Sequence, residues 1–478
     1  MSAYLAIDLG TTGCRSMVFD GELNVLGAEY EEYRLITPDD GWVEQDASLW
    51  WELTVCTAKK AILKSGVSAR SIRGISVSSQ GITVVPVDES LNPLMNAISW
   101  LDTRAAEEAE QLKREKGDEW VFLNTGKHID PVYTLPKLMW LRERRREIFD
   151  GCKLLLMPMD YLIGKLTGKC ITDHSMASGT LMYDIKNRSW SSEILKKYGI
   201  PAVKLPEIVW SGETAGTVLP EVAGELGLSE DCTVSVGAQD QKCAAFGAGL
   251  SKGTVTVSLG TACAVTKLWE APQPERFKSV GWCGYINKDT WVTEGVINTA
   301  GASLRWLRDL MYRGEDYSVI DQEAEKAIKR GDAVMFYPYL SESGAKGFFT
   351  GIRLNSNRGS FAAAVLEGVA FQIRTLLCKM DAYQDADSIV LFGGGAKSTL
   401  WSQIIADATG LAVKVPQTGE AAGAGAAILA AKGCGETLPH LKYSRVVYPS
   451  EKTKTYEDKY RSYCETELRL TGGKGDTH

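Results

Sequence analysis

Short hydrophobic runs alternate along the chain with longer segments whose apolar residues recur at helical spacing. The runs are rich in Val, Ile and Leu, and their alternation with helical segments is typical of an α/β fold. This pattern predicts a helix over 48–64 and a strand over 72–77. A further helix is predicted over 101–112, with Asp102 or Thr103 as its N-cap.

The first apolar run ends on a carboxylate that a simple turn does not require. Asp8 precedes Gly10-Thr11-Thr12-Gly13, and a second apolar run follows directly. The arrangement predicts a β-hairpin whose glycines let backbone amides face a ligand. The acid and the two hydroxyls behind it are therefore candidates for binding that ligand.

A similar pattern returns in the second half of the chain. Residues 253–268 repeat the apolar run, the Leu-Gly-Thr turn with Gly260 and Thr261, and a second apolar run. The repeat predicts a duplicated fold with one phosphate-facing hairpin in each half. The halves are expected to meet near the small-residue stretch 244–250.

Two further segments are rich in small residues. Three consecutive glycines, 393–395, follow a predicted strand and precede a helix. Such glycines let a ligand approach the backbone, and a helix N-terminus favours phosphate, although a tight turn explains the same residues. The segment 421–431 predicts a helix that packs closely against a neighbour.

Length, charge and cysteine usage limit the class of protein. A chain of 478 residues is too long for one core and predicts two or three domains. Its net charge of -7 argues against nucleic acid or an anionic membrane as the partner, and no apolar run reaches membrane-spanning length. Eleven scattered cysteines and an N-terminus without a secretory pattern predict a cytoplasmic protein.

The motifs that are present favour phosphoryl transfer. No GxxxxGK[ST] run and no GxGxxG after the first strand occur, which argues against a P-loop enzyme and a dinucleotide oxidoreductase. Asp240 ends another apolar run, so two strand-end acids, Asp8 and Asp240, accompany the two hairpins. Phosphoryl transfer needs donors that cradle the phosphates, carboxylates that hold magnesium and a base for the attacking hydroxyl.

These motifs, in this order, resemble the FGGY carbohydrate kinases of the actin, sugar kinase and Hsp70 superfamily. The resemblance covers essentially the whole chain and is strongest to the xylulokinase branch, through Glu-Gln-Asp-x-x-x-Trp-Trp and Trp-x-Asp-x-Arg. The segments that carry it are 8–12, 44–51, 100–104, 136–141, 155–161, 300–306, 364–368, 393–396 and 420–425.

The resemblance implies an α/β protein of two ribonuclease-H-like domains with a central cleft. Residues 1–246 would form the N-terminal domain, with the sugar site and the first hairpin. Residues 247–478 would form the C-terminal domain, with the second hairpin and the adenosine site. The implied cofactors are ATP and Mg²⁺, the partner is a small sugar or polyol, and relatives suggest a homodimer.

The resemblance also assigns roles to individual residues. Asp240 would be the catalytic base and a metal-site acid, and Asp8 the other metal-site acid. The residues implied to bind ATP are Thr11, Thr12, Arg15, Gly260, Thr261, Gly301, Arg305, Gly394, Gly395 and Thr399. Those implied to contact the sugar are Gln80, Gly81, Ile82, Trp100, Asp102 and Gln241.

The chain departs from the xylulokinase pattern at the sugar site. Gly81 and Ile82 stand where that branch has a Met-His pair, and 340–344 replaces a Gly-Glu-Arg-x-Pro loop. Losing a histidine donor can change specificity strongly. D-xylulose is the expected substrate, with erythritol, glycerol, an L-ketopentose or a gluconate-like acid as alternatives. A non-catalytic sugar or nucleotide sensor on the same fold is a further alternative.

Overall fold

Two twisted sheets, one from each half of the chain, form the framework in a computed structural model that describes residues 2–341 and 346–471. The strands of the N-terminal half are β1 (Ala3–Leu9), β2 (Gly13–Asp20), β3 (Val25–Glu32), β4 (Glu44–Gln45), β5 (Ile72–Ser79), β6 (Val85–Val87), β7 (Ala97–Ile98), β8 (Leu154–Leu156), β9 (Ile171–Asp173), β10 (Tyr183–Asp184), β11 (Ser189–Trp190), β12 (Glu207–Val209), β13 (Thr214–Thr217) and β14 (Thr233–Gln239). Its helices are α1 (Ala47–Ser65), α2 (Ala106–Lys116), α3 (Asp118–Thr125), α4 (Thr134–Arg144), α5 (Arg146–Gly151), α6 (Pro158–Thr167), α7 (His174–Ala177), α8 (Ser192–Tyr198), α9 (Pro220–Leu226) and α10 (Asp240–Gly247).

The C-terminal half contributes the second sheet and its covering helices. Its strands are β15 (Thr254–Leu259), β16 (Cys263–Trp269), β17 (Gly281–Gly284), β18 (Trp291–Ile297), β19 (Met335–Tyr337), β20 (Phe348–Thr350), β21 (Ser388–Phe392), β22 (Ala412–Pro416) and β23 (Tyr443–Val447). Its helices are α11 (Ala300–Met311), α12 (Tyr317–Arg330), α13 (Arg358–Lys379), α14 (Thr399–Thr409), α15 (Ala421–Gly433) and α16 (Thr453–Thr471). The segment 340–344, which departs from the xylulokinase pattern, lies only partly within the described residues, because 342–345 are outside them.

The two sheets share one strand order. Sheet 1 runs β3-β2-β1-β5-β14-β13, and sheet 2 runs β18-β16-β15-β21-β22-β23 with β17 added at one edge. In both, an antiparallel meander of three strands is followed by two parallel pairings and a last antiparallel one. The matching strand orders confirm the predicted duplication of the fold. They also confirm the α/β class with two similarly built halves.

Alternation along β1 decides which way its acid faces. Leu5, Ile7 and Leu9 pack into a core with residues of α1, whereas Tyr4 and Ala6 pack with residues of α15. Because neighbouring side chains on a strand point to opposite faces, Asp8 shares the α15 face. This is the face on which the C-terminal half contacts sheet 1.

The predicted helices occur, with one correction. Helix α1 covers the predicted 48–64, begins after the N-cap Asp46 and ends at Gly66 in the left-handed conformation. The helix predicted over 101–112 instead begins at Ala106, and neither proposed residue caps it. The Asp102 carboxylate is buried and bonded to Arg104 and to the Val43 amide, so it is not free to cap a helix.

Helix α15 joins the two halves through a close helix crossing. It packs on β1, β5 and β14 of sheet 1 and crosses α10. A Cβ atom on Gly425 would overlap the Cys243 carbonyl oxygen, and one on Gly247 would overlap the Ala421 carbonyl oxygen. The small residues predicted to allow close packing therefore do so at this crossing.

Helix α13 meets the length and composition of a membrane-spanning helix, contrary to the sequence expectation. Its most apolar window is 67% buried inside the protein. It packs against α12, α14 and β19. Its apolar character is therefore accounted for by its place in the core of the C-terminal half.

We expect Gly425→Ala to destabilise the protein by about 1–3 kcal/mol, because the new methyl group cannot fit against the α10 backbone. Gly224→Ala in α9 is the matched control. Its Cβ would contact no other atom, so it should be neutral or stabilising by up to about 1 kcal/mol. Urea denaturation measures both. Equal midpoints for the two variants would contradict the close crossing.

Candidate active site

The carboxyl ends of three parallel strands meet at one edge of sheet 1. In the register of the sheet, Asp8 of β1 lies beside Ser78 of β5, and Ser78 lies beside Ala238 of β14. Asp240 follows two residues later, as the first residue of α10. With neighbouring strands about 5 Å apart, the two carboxylates approach the same edge within about 10 Å along the sheet.

Asp8 is a partly buried carboxylate with one direct partner. The Ser78 hydroxyl donates a hydrogen bond of 2.8 Å to its Oδ1. Burial raises the pKa of Asp8 to about 6, and the nearby Glu420 carboxylate contributes in the same direction. A cation at this position would relieve both effects.

Asp240 is held by groups at the start of α10. Its Oδ1 accepts hydrogen bonds from the Gln241 amide at 2.6 Å and from the Gln239 side chain. Burial, followed by the charge of Asp8, raises the pKa of Asp240 to about 7. Asp240 therefore responds to the charge of Asp8 and can exchange a proton near neutral pH.

The first hairpin is braced by side chains from outside it. The Gln45 amide donates to the Thr11 carbonyl at 2.8 Å, the Trp100 indole donates to the Thr11 hydroxyl at 2.8 Å, and the Tyr33 hydroxyl donates to the Gly10 carbonyl. Thr12 is exposed at the tip. These bonds fix the turn beside Asp8.

Arg15 crosses to the other half of the chain. Its guanidinium bonds to the Glu420 carboxylate, directly before α15, at 2.5 Å. The resemblance predicts that Arg15 faces phosphate. In the structure its guanidinium is paired with the Glu420 carboxylate, next to Asp8. The ion pair joins the two halves at the edge of the site.

The second hairpin docks against the start of α11. The amides of Gly301 and Ala302 donate to the Gly260 and Thr261 carbonyls, each at 3.0 Å. A Cβ atom on Gly301 would overlap the Gly260 carbonyl oxygen, so only glycine allows this approach. Arg305 reaches the Thr261 hydroxyl at 3.4 Å. The four residues predicted here lie together.

The triple glycine forms the turn from β21 to α14. Gly393 has φ +90° and, like Gly395, lies too close to Leu259 for a side chain. Gly394 is exposed and has open space around it, and Thr399 is exposed at the start of α14. Packing explains the first and third glycines, whereas Gly394 leaves its backbone open to a ligand.

The predicted sugar contacts split into two groups. Gln80 is only 2% exposed, and its amide is bonded to Gln45 at 2.8 Å. Thr83 donates to Gln80 at 3.4 Å and accepts from the Trp100 amide at 3.0 Å. Because Trp100 also holds Thr11, this network connects the predicted sugar residues to the first hairpin. Trp100 itself is 37% exposed.

The remaining predicted sugar residues differ in how far they are exposed. Asp102 is buried under Arg104 and Gly81 is buried against Gln239, whereas Gln241 is partly exposed. Ile82 is partly exposed and has φ +70°, which is rare for a β-branched residue and marks local strain. The structure thus leaves Ile82, Trp100 and Gln241 open beside Asp240 and the hairpin.

Several groups at the site escaped prediction. Ser78 could have been found from the parallel register of β1 and β5, because it lies directly beside Asp8. Gln45, Tyr33 and Glu420 lie in distant segments, and nothing local to them indicates that they meet beside the first hairpin. Only the folded chain brings them together.

Magnesium is the metal that the donor set suits. Among residues 2–341 and 346–471, no group of three or more His, Cys, Asp or Glu side chains could hold a metal alone. Mg²⁺ in phosphate-transferring enzymes is bound by one or two carboxylates plus substrate phosphates. Asp8 and Asp240, each with a raised pKa, fit that requirement.

Comparisons with known proteins agree with this geometry. Models of the N-terminal and C-terminal domains of the FGGY family of carbohydrate kinases match residues 3–247 and 255–434. The xylulose kinase of Bacillus subtilis is 30% identical, over 97% of this chain and 96% of the relative. The glycerol kinase of Thermococcus gammatolerans is 31% identical, over 98% of each chain. A solved structure, a xyloylose kinase from Brucella ovis, has a TM-score of 0.87 and 31% identity, covering 98% of this chain and 99% of that one.

Duplicated sheets, paired hairpins and full-length relatives together define a two-domain carbohydrate kinase, a phosphotransferase that acts on a sugar hydroxyl. The chain belongs to the FGGY family of carbohydrate kinases. The resemblance found in the sequence is confirmed.

Helix α7 supports β14, the strand that ends directly before Asp240. The Ser175 hydroxyl accepts a hydrogen bond from the Gln239 amide at 2.9 Å. Beside it, His174 is buried, bonds to the Tyr183 hydroxyl at 2.8 Å and stacks on Trp210 at 3.9 Å. Burial, with a smaller contribution from Arg188, lowers the pKa of His174 to about 4.

Stability should therefore fall as the pH drops below about 6.5. The unfolded chain takes up a proton at His174 that the folded protein refuses, so protons favour unfolding between about pH 6.5 and 4. We expect His174→Gln to reduce the loss between pH 7 and 5 by an amount on the order of 1–3 kcal/mol. His440→Gln, at an exposed histidine, is the control. Identical urea midpoint shifts for both variants would contradict this role.

Proposed function

We propose that the protein phosphorylates a hydroxyl of a small carbohydrate with ATP, using Asp240 as the general base. The observation that carries the proposal is the meeting of Asp8 and Asp240 at adjoining strand ends, with pKa values raised to about 6 and about 7. A base whose pKa lies near the working pH is suited to proton transfer, worth about 10²–10⁴-fold in rate.

In the proposed step, the acceptor oxygen attacks the γ-phosphorus of ATP. Its proton passes to Asp240, the bond from the γ-phosphorus to the bridging oxygen breaks, and ADP leaves. The products are a phosphate monoester and ADP. Because Asp240 supplies only proton transfer, most of the rate is expected from positioning and charge neutralisation.

Asp8, with Asp240 beside it, would hold Mg²⁺, which neutralises phosphate charge when bound. Thr11 and Thr12 of the first hairpin would face the phosphates from residues 1–246. Gly260, Thr261, Gly301 and Arg305 would do so from residues 247–478, and Gly394, Gly395 and Thr399 would adjoin the adenosine. Arg15 would reach phosphate after leaving Glu420.

The acceptor is less narrowly defined than the chemistry. The xylulose kinase relative, at 30% identity, supports D-xylulose, whereas the glycerol kinase relative, at 31%, supports a shorter polyol. Ile82 offers no side-chain donor where the xylulokinase pattern has histidine, so recognition must use other groups. Erythritol, an L-ketopentose and a gluconate-like acid stay candidates. A cytoplasmic location and a homodimer also remain predictions.

We expect Mg²⁺-dependent ADP release to rise at least about tenfold when a suitable acceptor is added, because acceptor binding completes the site. The assay compares D-xylulose, erythritol, glycerol, an L-ketopentose and gluconate with no acceptor. No stimulation by any acceptor, with ATP still bound, would favour the non-catalytic sensor instead.

We expect Asp240→Ala to lower kcat by about 10²-fold or more, because no other group accepts the hydroxyl proton. Nucleotide affinity, measured by isothermal titration, should change little. Asp231→Ala, at an exposed residue before β14, is the control. If Asp240→Ala keeps more than about a tenth of the wild-type kcat, Asp240 is not the base.

A further inference from the structure

A buried lysine lies beside the ion pair of Lys242 and Glu294, close to Asp240. Lys127 follows α3 and is 8% exposed. The preceding Gly126 carbonyl accepts from the Trp282 amide of β17 at 2.8 Å, which fixes the lysine where the two halves touch. The Cys283 thiol is a hydrogen-bonding neighbour of its ammonium.

The nearest carboxylate is already paired. Glu294 of β18 bonds to the Lys242 ammonium at 2.8 Å. Lys127 lies near that carboxylate, so two ammonium groups share one carboxylate. Although burial opposes it, Cys283, Tyr133 and Glu294 raise the pKa of Lys127, which keeps it charged. An ammonium has three donors, and a thiol satisfies one of them weakly.

This cluster adjoins the predicted acceptor site. Lys242 lies two residues after Asp240, and Glu294 also acts on the Asp240 charge. On the other side, Tyr133 precedes Thr134, whose hydroxyl donates to the Ile82 carbonyl at 3.0 Å. Lys127 is therefore connected to both the proposed base and the residue that replaces the xylulokinase histidine.

Glu294 lies between a buried and an exposed position on one face of β18. Val292, Glu294 and Val296 share one face of the strand because they are two residues apart. Val292 is fully buried and Val296 is 49% exposed, with Glu294 between them. Lys127, which neighbours Glu294, therefore lies below the surface but next to a partly exposed position.

We propose that Lys127 binds a carboxylate of the acceptor, so that the preferred substrate class is a sugar acid rather than a neutral ketose or polyol. This inference rests on the proposed function. The carboxylate stays unchanged in the reaction: a hydroxyl of the same molecule loses its proton to Asp240, gains the γ-phosphoryl group, and ADP leaves. Lys127 would supply the charge complement that neither Ile82 nor Gln241 can provide.

The test compares acceptors of matched chain length with the full-length protein. We expect kcat/KM for xylonate or gluconate to exceed that for xylitol or D-xylulose by about 10- to 100-fold. Lys127→Met should remove that preference by lowering kcat/KM for the acids about 10- to 100-fold more than for the neutral acceptors. Gly281→Ala, whose Cβ would lie 2.8 Å from the Lys127 ammonium, keeps the charge but displaces it and should act in the same direction. Lys113→Met, at an exposed lysine of α2, is the control.

The outcomes separate this inference from the proposed function. Turnover of D-xylulose or a polyol with no preference for the acids overturns the role of Lys127 and leaves the kinase assignment standing. Loss of all turnover in Lys127→Met, with a normal thermal unfolding profile, also overturns a role confined to selectivity. If no acceptor is phosphorylated, calorimetric binding of gluconate decides: weakening by Lys127→Met supports the inference, and no binding overturns it.

Discussion

The parallel pairing of β1, β5 and β14 is the constraint on which the site depends. Parallel neighbours end at the same edge of a sheet, so residues far apart in sequence meet there without any loop having to bring them together. Asp8 and Asp240 are separated by most of the N-terminal half, yet Ser78 lies between their strands and bonds to Asp8. Removing that register would separate the two acids and take away the part of the raised Asp240 pKa that comes from the charge of Asp8.

The second constraint is the contact between the halves. The α10–α15 crossing places glycine against backbone and fixes α10, which begins at Asp240, against the helix that follows Glu420. Two ion pairs, Arg15–Glu420 and Lys242–Glu294, join the halves on either side of the acids. Both pairs mix residues from the two halves, so their geometry changes if the halves move relative to one another.

Sequence reasoning recovered what is local or periodic. The period of apolar residues predicted α1 and β5, and the repeated Leu-Gly-Thr turn predicted that the sheets are duplicated. It failed where a side chain bonds to a group that only folding brings close. Asp102 resembles a helix cap, but its carboxylate is bonded to Arg104 and to the Val43 amide. Gln80 stays a predicted sugar contact, and its amide is bonded to Gln45 inside the core. A pattern shows which side chains can bind, whereas burial decides which of them are free to do so.

Charge is distributed unevenly along the site, and the distribution has a physical consequence. Asp8, Asp240 and Glu420 cluster where the phosphates of a nucleotide would lie, and like charges cannot approach there unless a cation intervenes. The ammonium groups of Lys127 and Lys242 lie near Glu294, a carboxylate that also acts on the charge of Asp240. A triphosphate alone would be attracted to the lysines and repelled by the acids. A magnesium-bound triphosphate is not repelled in this way, so the arrangement favours the metal complex at the acidic end and leaves the lysines to the other reactant.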